Sequence, residues 1–149
     1  MEIKPYLDKP NDELMALLLL ADPDEKQVST YLQDAEIFVA YLKSEKVGLV
    51  VLSNQNDEFE IKNIAVKPEF QGKGIGRPLI EKIKTRVREL GAQAFTVGTG
   101  NSSLGQLEFY QRCGFRIISV SPNYFLSYHP PIYENGIRCI DMIVLRLDL

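Results

Sequence analysis

Two hydrophobic periods alternate along the chain, and together they predict a definite order of strands and helices. Apolar, β-branched runs predict strands at residues 2–6, 37–42, 47–54, 59–67, 94–98, 115–120 and 138–147. Apolar residues at helical spacing predict helices at 11–20, 22–33, 75–90 and 103–113. The order β-αα-βββ-α-β-α-ββ predicts an α/β (α+β) fold of about seven strands, in a single domain spanning 1–149.

Local signals mark where three of these helices begin or end. Asp22-Pro23-Asp24-Glu25 predicts a helix start with a capping carboxylate and proline in the first turn. Ser103 and Gln106 have the spacing of a capping box for the helix that follows them. The helix before it ends at Gly91, and its predicted buried face consists of Ile75, Leu79, Ile80, Ile83, Val87 and Leu90.

A glycine-rich loop stands between a predicted strand and a predicted helix, in the stretch Ile-Ala-Val-Lys-Pro-Glu-Phe-Gln-Gly-Lys-Gly-Ile-Gly at 64–76. Such a loop can turn successive backbone N–H groups toward one point, with the positive end of the helix dipole behind them. It predicts a site for a phosphate or pyrophosphate; a simple turn is the alternative. The glycine spacing does not match a P-loop, and Arg77 stands where a dinucleotide fingerprint needs its third glycine.

Three segments resemble the GNAT superfamily of N-acetyltransferases, and the resemblance covers most of the chain. Gln71-x-x-Gly-x-Gly after the strand resembles the superfamily's pyrophosphate loop, and residues 60–66 resemble its central strand. Residues 109–115 resemble its Tyr-x-x-x-Gly-Phe signature. The resemblance implies a mixed, mostly antiparallel sheet with a splayed central strand that holds the cofactor. It also implies transfer of the acetyl group of acetyl-CoA to an amine by direct attack in a ternary complex, without a metal.

The resemblance also implies the residues that bind the cofactor. Backbone groups of the central strand would bind the pantetheine and the thioester carbonyl, through Ile64, Ala65 and Val66. The loop would bind the pyrophosphate, through Gln71, Gly72, Lys73, Gly74, Ile75, Gly76 and Arg77. Asn101 resembles an asparagine that touches pantetheine, and a helix cap is its alternative role.

Two residues are candidates for proton transfer. Tyr110 stands where the superfamily places a general acid for the departing thiolate; the alternative is a core tyrosine with a satisfied hydroxyl. Glu60 stands where some members carry a general base on the central strand; the alternative is an exposed charge at a strand start.

The segment 121–136 is long and aromatic for a connection between strands, which is typical of functional loops. Together with the residues that follow, it resembles a bacterial subgroup of the superfamily with a YHPPIYENGIRCIDM-type segment. Tyr128, His129 and Glu134 are its candidate acceptor contacts. The alternatives are a rigid loop element for His129 and a dimer contact for the loop as a whole. A homodimer is the oligomeric state that the resemblance favours.

Composition limits the partners. The chain has 149 residues, of which 45% are hydrophobic and 25% charged, and a net charge of −3 that gives no basic excess for nucleic acid. The longest apolar run, 14–21, is too short to cross a bilayer. Cys113 and Cys139 lack metal-ligand spacing, which favours reduced thiols in the cytoplasm.

The expected acceptor is a small-molecule amine or a peptide or protein amine. Two other functions stay open at this point. The first is a CoA-binding sensor or interaction module with little catalytic activity. The second is nucleotide binding through the glycine loop, which the glycine spacing disfavours.

Overall fold

A computed structural model describes residues 1–149, which form two compact units, 1–92 and 93–149. The first unit contains strands β1 (Glu2–Tyr6), β2 (Ala35–Leu42), β3 (Glu45–Gln55) and β4 (Glu58–Val66). Neighbouring strands pair antiparallel in the order β1-β2-β3-β4. Its helices are α1 (Asp12–Ala21), α2 (Glu25–Leu32) and α3 (Gly76–Glu89), with a 3₁₀ turn at Pro68–Phe70.

The second unit has a three-stranded antiparallel arrangement with its last strand in the middle. Strand β9 (Met142–Asp148) pairs with both β5 (Ala94–Gly100) and β6 (Arg116–Ser121). Helix α4 (Leu104–Arg112) follows β5, and a two-stranded hairpin is formed by β7 (Tyr133–Glu134) and β8 (Ile137–Arg138). The predicted order of helices and strands is therefore confirmed, with the 3₁₀ turn and the short hairpin added.

The core of the first unit follows from the two periodicities. Alternate residues of β2 and β3 face α1 and α2, and the buried cluster there includes Ile37, Val39, Leu49, Val51, Leu14, Leu17, Leu18 and Val28. Helix α3 buries Leu79, Ile80, Ile83 and Val87, as predicted. The prediction of Leu90 on that buried face is wrong, because the helix ends at Glu89 and Leu90 is 40% exposed. No helix has the length and apolar character that crossing a bilayer requires.

The start of α2 differs from its prediction by two residues. The Asp24 side chain caps the helix by accepting from the N–H groups of Lys26 and Gln27, so Pro23 lies before the helix and not in its first turn. Asp22 instead accepts a hydrogen bond from the Asp24 N–H at 3.0 Å. Asp22 and Asp24 are both possible N-caps, and the helix uses Asp24.

A β-bulge interrupts β4 in its middle. Val51 of β3 pairs with Asn63, whereas Leu52 pairs with Ile61, so Lys62 is an extra residue without a direct partner. Beyond the bulge, the buried positions of β4 run consecutively from Asn63 to Ala65. The bulge therefore changes which side chains of β4 share a face.

The predicted continuous strand at 138–147 is wrong, since β8 ends at Arg138 and β9 begins at Met142. Between them, the Asn101 side chain binds the backbone. Its Oδ1 accepts from the N–H groups of Ile140 at 2.8 Å and Asp141 at 3.0 Å. A side chain from a distant loop thus supplies the hydrogen bonds that a neighbouring strand would otherwise make.

Candidate functional site

The loop between β4 and α3 is tied closely to the strand that precedes it. The Phe70 N–H donates to the Lys67 carbonyl at 2.8 Å, which closes the 3₁₀ turn. The Gln71 side chain reaches back and donates from Nε2 to the carbonyl of Val66 at 3.0 Å. The predicted glutamine of the loop therefore fixes where the glycines begin relative to the end of β4.

Two glycines of the loop adopt backbone angles that favour glycine. Gly72 has φ +74° and Gly74 has φ +79°. A Cβ atom built on either glycine would have no heavy atom within 4 Å. The next residue, Ile75, is only 4% exposed and anchors the loop in the core. The loop thus presents an open backbone surface above a buried anchor, an arrangement that suits an anion cradle.

The N-terminus of α3 completes this cradle electrostatically. The 14-residue helix has no side-chain cap at Ile75 and no acidic residue in its first turn. Pro78 carries no N–H, so the first-turn donors are those of Gly76 and Arg77. Lys73 adds a cation and lies over the Phe70 ring at 5.5 Å. All predicted pyrophosphate contacts, residues 71–77, therefore lie in one loop and one helix start that suit an anion.

The three predicted thioester contacts lie at the end of β4, directly before the loop. Ile64, Ala65 and Val66 pair with Val50, Leu49 and Gly48 of β3, respectively. A Cβ at Gly48 would stand 2.9 Å from the Ala65 carbonyl oxygen, a distance that real Cβ atoms essentially never show. Glycine at position 48 therefore sets the close approach of the two strands beside the candidate site.

Glu60, the predicted base, is half-buried on β4 and forms an ion pair. The Lys62 ammonium lies 3.0 Å from Glu60 Oε1. The Lys62 side chain is 29% exposed and the Glu60 side chain is 35% exposed. A carboxylate that is partly open to solvent can be reached by an approaching ammonium. Glu60 is thus a paired and partly exposed charge near the start of β4.

Asn63 is a polar residue of this strand that the sequence reasoning missed. It is 4% exposed, and its Nδ2 donates to the Leu18 carbonyl at 2.8 Å and the Tyr31 hydroxyl at 2.9 Å. Its Oδ1 is buried without a hydrogen-bond donor. The signal for it was present in the sequence, because it is a single amide directly before the apolar run Ile64-Ala65-Val66.

Tyr110, the predicted acid, is buried in the second unit on the inner face of α4. The centroid of its ring lies 5.5 Å from the ring centroid of Phe115 and 5.6 Å from that of Phe109. Burial raises the pKa of the Tyr110 phenol well above its usual range, and the Cys113 thiol adds to that rise. The phenol therefore stays protonated at neutral pH, which is the form that can donate a hydrogen bond.

Asn101 is engaged by the backbone that follows β8. Besides accepting from Ile140 and Asp141, it donates from Nδ2 to the Arg138 carbonyl at 3.1 Å. Helix α4 has its N-cap position at Ser103, so Asn101 precedes the cap and does not fill it. The bond to Arg138 uses one of the two N–H groups of the side-chain amide, so the second can bind another partner.

The predicted capping box of α4 is wrong, and Glu134 explains why. The Ser103 side chain makes no cap hydrogen bond to the helix. Its hydroxyl instead donates to Glu134 Oε1 at 2.7 Å, and the buried Ser102 hydroxyl donates to the same oxygen at 3.1 Å. Asn135 adds a bond from Nδ2 to the Ser102 carbonyl at 3.0 Å. The sequence could not reveal this partnership, since it joins residues about thirty positions apart.

Tyr128 and His129 lie in the segment between β6 and β7. Tyr128 is half-buried, with its ring 5.4 Å from that of Phe125, and His129 is exposed. The peptide bond from His129 to Pro130 is cis. Phe125 is in turn held by a hydrogen bond from its N–H to the Ile140 carbonyl at 2.8 Å. The aromatic residues of this segment therefore form an ordered cluster.

A family model described as an acetyltransferase (GNAT) domain matches residues 33–117. The uncharacterized N-acetyltransferase YvbK of Bacillus subtilis (strain 168) is 45% identical over 144 residues, which cover 95% of this chain and 93% of that protein.

Solved structures match over almost the whole chain. A GNAT family acetyltransferase from Elizabethkingia anophelis with acetyl-CoA bound superposes with a TM-score of 0.93 at 41% identity, covering 99% of this chain and 97% of that chain. An acetyltransferase of Bacillus subtilis in complex with CoA superposes with a TM-score of 0.92 at 44% identity, with the same two coverages. These superpositions confirm the predicted α/β fold.

Proposed function

The chain belongs to the GNAT acetyltransferase family, and we propose that it transfers the acetyl group of acetyl-CoA to a primary amine. The acceptor would be a small molecule or an amine of a peptide or protein, attacking directly in a ternary complex. The observation that carries the proposal is the open glycine loop at an uncapped helix start, directly after the strand that carries Glu60. The bound acetyl-CoA and CoA of two similar structures support acetyl-CoA as the donor.

Residues 71–77 would hold the pyrophosphate of the donor. The exposed loop and the first N–H groups of α3 supply donors for its oxygens, and the Lys73 and Arg77 cations balance its charge. Backbone groups of Ile64, Ala65 and Val66 would hold the pantetheine and polarise the thioester carbonyl. Asn101 would contribute the remaining N–H of its side-chain amide to the pantetheine.

Glu60 would take the proton that the acceptor ammonium must lose before it can attack. Its carboxylate lies beside Lys62 and is partly open to solvent, so an approaching ammonium can reach it. The neutral amine nitrogen then forms the new C–N bond as the thioester C–S bond breaks. One proton of the ammonium passes to Glu60 before the attack, and the nitrogen loses a second proton to solvent once the C–N bond has formed. The sulfur leaves as a thiolate.

Tyr110 would donate a hydrogen bond to this departing sulfur. A CoA thiol titrates near the free-thiol value of about 8.5, well below the raised pKa of the Tyr110 phenol. Complete proton transfer from the phenol to the thiolate is therefore uphill. The favoured role is stabilisation of the developing negative charge by the phenol O–H, with the final proton coming from solvent.

The segment 121–136 would form the acceptor side of the reaction or a contact between two copies of the chain. Tyr128 and His129 are the residues we propose to contact the acceptor. Because Oε1 of Glu134 accepts from Ser102 and Ser103, Glu134 would contact the acceptor amine through its other oxygen, Oε2. A homodimer and a cytoplasmic location complete the proposal. The two cysteine thiols, both buried, support a reducing compartment.

A thermal-shift titration with acetyl-CoA, CoA, ATP and NAD side by side tests the donor site. Stabilisation that rises with concentration only for acetyl-CoA and CoA is expected, because a ligand that binds the folded state raises its stability. A thiol-release assay with ethanolamine, tyramine, spermidine, Nα-acetyl-lysine amide and an alanine-initiated peptide then tests transfer. Tight CoA binding with no thiol release from any amine would instead favour a CoA-binding module.

A further inference from the structure

Asn63 carries a buried side-chain oxygen that lacks a donor. We propose that this oxygen, Asn63 Oδ1, accepts a hydrogen bond from the acceptor amine and so helps to bind it for acetyl transfer. The inference rests on the proposed function, with Glu60 as the base. It thus assigns a contact with the acceptor amine to Asn63, a residue that the sequence patterns did not single out.

The bulge in β4 places Asn63 and Glu60 on the same face of the strand. Glu60 pairs with Ser53 and Asn63 pairs with Val51, and these two β3 residues lie two positions apart. Residues two apart on a strand share a face, and directly paired residues share it too. In a regular strand, residues three apart would point to opposite faces. The extra residue at Lys62 is what puts the two side chains on one face.

The orientation of the Asn63 amide is fixed by its neighbours. The Leu18 carbonyl can only accept a hydrogen bond, so the atom 2.8 Å from it must be the donor Nδ2. The second contact of Nδ2, the Tyr31 hydroxyl at 2.9 Å, is compatible with the same orientation. Oδ1 is thus the atom left without a partner, and exchanging the two ends of the amide would not remove the deficit.

An unpaired acceptor on this face suits an amine in particular. A primary ammonium has three N–H groups and gives up one proton to Glu60, so further N–H groups need acceptors. Equivalent positions two residues apart on a strand are about 7 Å from each other. An amine nitrogen held between two such positions would contact a hydrogen-bond acceptor on each side. Because Oδ1 is buried, the amine would reach it by displacing the side chains that cover Asn63. Asn63, being neutral, would accept without removing a second proton.

Steady-state kinetics of two variants test the contact. The probes are n-butylamine, as a minimal primary amine, and the panel amine with the highest kcat/KM. Asn63→Leu should raise the KM for both amines about 10-fold, with kcat and the KM for acetyl-CoA within about threefold of the unaltered chain.

Tyr31→Phe is the matched control, because it removes a partner of Nδ2 and leaves Oδ1 in place. It should leave the amine KM unchanged. Equal increases in both variants would show that the amide only positions the helices, and would overturn the proposal.

A measurement on the unaltered chain covers the case in which Asn63→Leu does not fold. With CoA bound in place of acetyl-CoA, n-butylamine should shift the side-chain amide ¹⁵N and ¹H resonances of Asn63, which Asn63→Asp identifies by their loss. Unmoved resonances at saturating amine would refute the contact. Absence of turnover by the unaltered chain with every amine would instead refute the acetyl transfer itself, and the Asn63 proposal with it.

Discussion

The Ser103 hydroxyl donates a 2.7 Å hydrogen bond to the carboxylate of Glu134, thirty-one positions further along the chain. Ser102, whose side chain is fully buried, donates to the same oxygen. The carboxylate therefore stands beside the first residues of α4, where a negative charge interacts favourably with the helix dipole. Glu134 consequently stabilises the start of the helix that carries Tyr110.

Glu134→Ala should lower the free energy of unfolding by about 1–3 kcal/mol, because the buried Ser102 hydroxyl loses its acceptor. Glu134→Gln keeps an amide oxygen and should cost less. Urea unfolding followed by circular dichroism measures both changes. The control is Glu108→Ala, which removes an exposed ion pair to Arg112 on the same helix and should change stability by less than about 0.5 kcal/mol. A Glu134→Ala variant as stable as this control would contradict the capping role.

Gly74→Glu should abolish the stabilisation by CoA, since it places a carboxylate on the open loop surface and repels the pyrophosphate. Isothermal titration with CoA measures the loss. Gly91→Glu is a matched control, because Gly91 also has a positive φ, +84°, and no heavy atom within 4 Å of its Cβ position. The control thus carries the same added charge and the same backbone strain at the opposite end of α3. Equal CoA affinity in both variants would show that the loop does not bind the pyrophosphate.

The features that the sequence predicted well are those that depend on neighbouring residues. The buried face of α3 follows from a helical period, and Gly91 ends that helix because it adopts a positive φ. The glycines at 72 and 74 likewise have the left-handed backbone angles that such a loop requires. Local conformation and local spacing settle these features, so one short window of sequence is enough.

The features that sequence reasoning missed depend on residues far apart. The bulge at Lys62 is a property of how β3 and β4 pair, and it decides that Asn63 shares a face with Glu60. The capping box failed because the Ser103 hydroxyl donates to Glu134 and accepts no hydrogen bond from an N–H of its own helix. The segment between β8 and β9 is hydrogen-bonded by Asn101, about forty positions earlier. No local pattern encodes these partnerships.

Asn101→Ala should lower the free energy of unfolding by about 2–4 kcal/mol, because the N–H groups of Ile140 and Asp141 lose their acceptor. Asn101→Asp keeps an oxygen for both groups and should cost less. Hydrogen exchange gives a local readout, with faster exchange expected at Ile140 and Asp141 in the alanine variant. Asn54→Ala, an exposed asparagine of β3, serves as the control. Unchanged exchange at residues 140 and 141 would show that the side chain does not hold the segment.

Tyr110→Phe should lower kcat about 10-fold to 100-fold and leave acetyl-CoA affinity unchanged. The loss is limited because a CoA thiolate is stable enough to depart without full protonation. The rate of thiol release at saturating substrate concentrations gives kcat, and titration with CoA gives the affinity for the cofactor. The control is Tyr6→Phe, because the Tyr6 hydroxyl donates to the exposed Lys9 carbonyl and lies outside the proposed site residues. An unaltered kcat in Tyr110→Phe would remove the phenol from the reaction.

The buried phenol of Tyr110 should also make the folded state sensitive to alkaline pH. Its pKa is raised on folding, above the value near 10 that it has in the unfolded chain. At a pH between these two values the unfolded chain binds fewer protons than the folded chain, so stability falls as pH rises. The stabilisation is complete below pH 10 and is lost progressively above it. Tyr110→Phe removes this linkage, so its urea midpoint should fall less than that of the unaltered chain between pH 9 and pH 11. Tyr133→Phe should follow the unaltered chain, because Tyr133 is 64% exposed, and parallel profiles for all three proteins would mean that the phenol is not buried in solution.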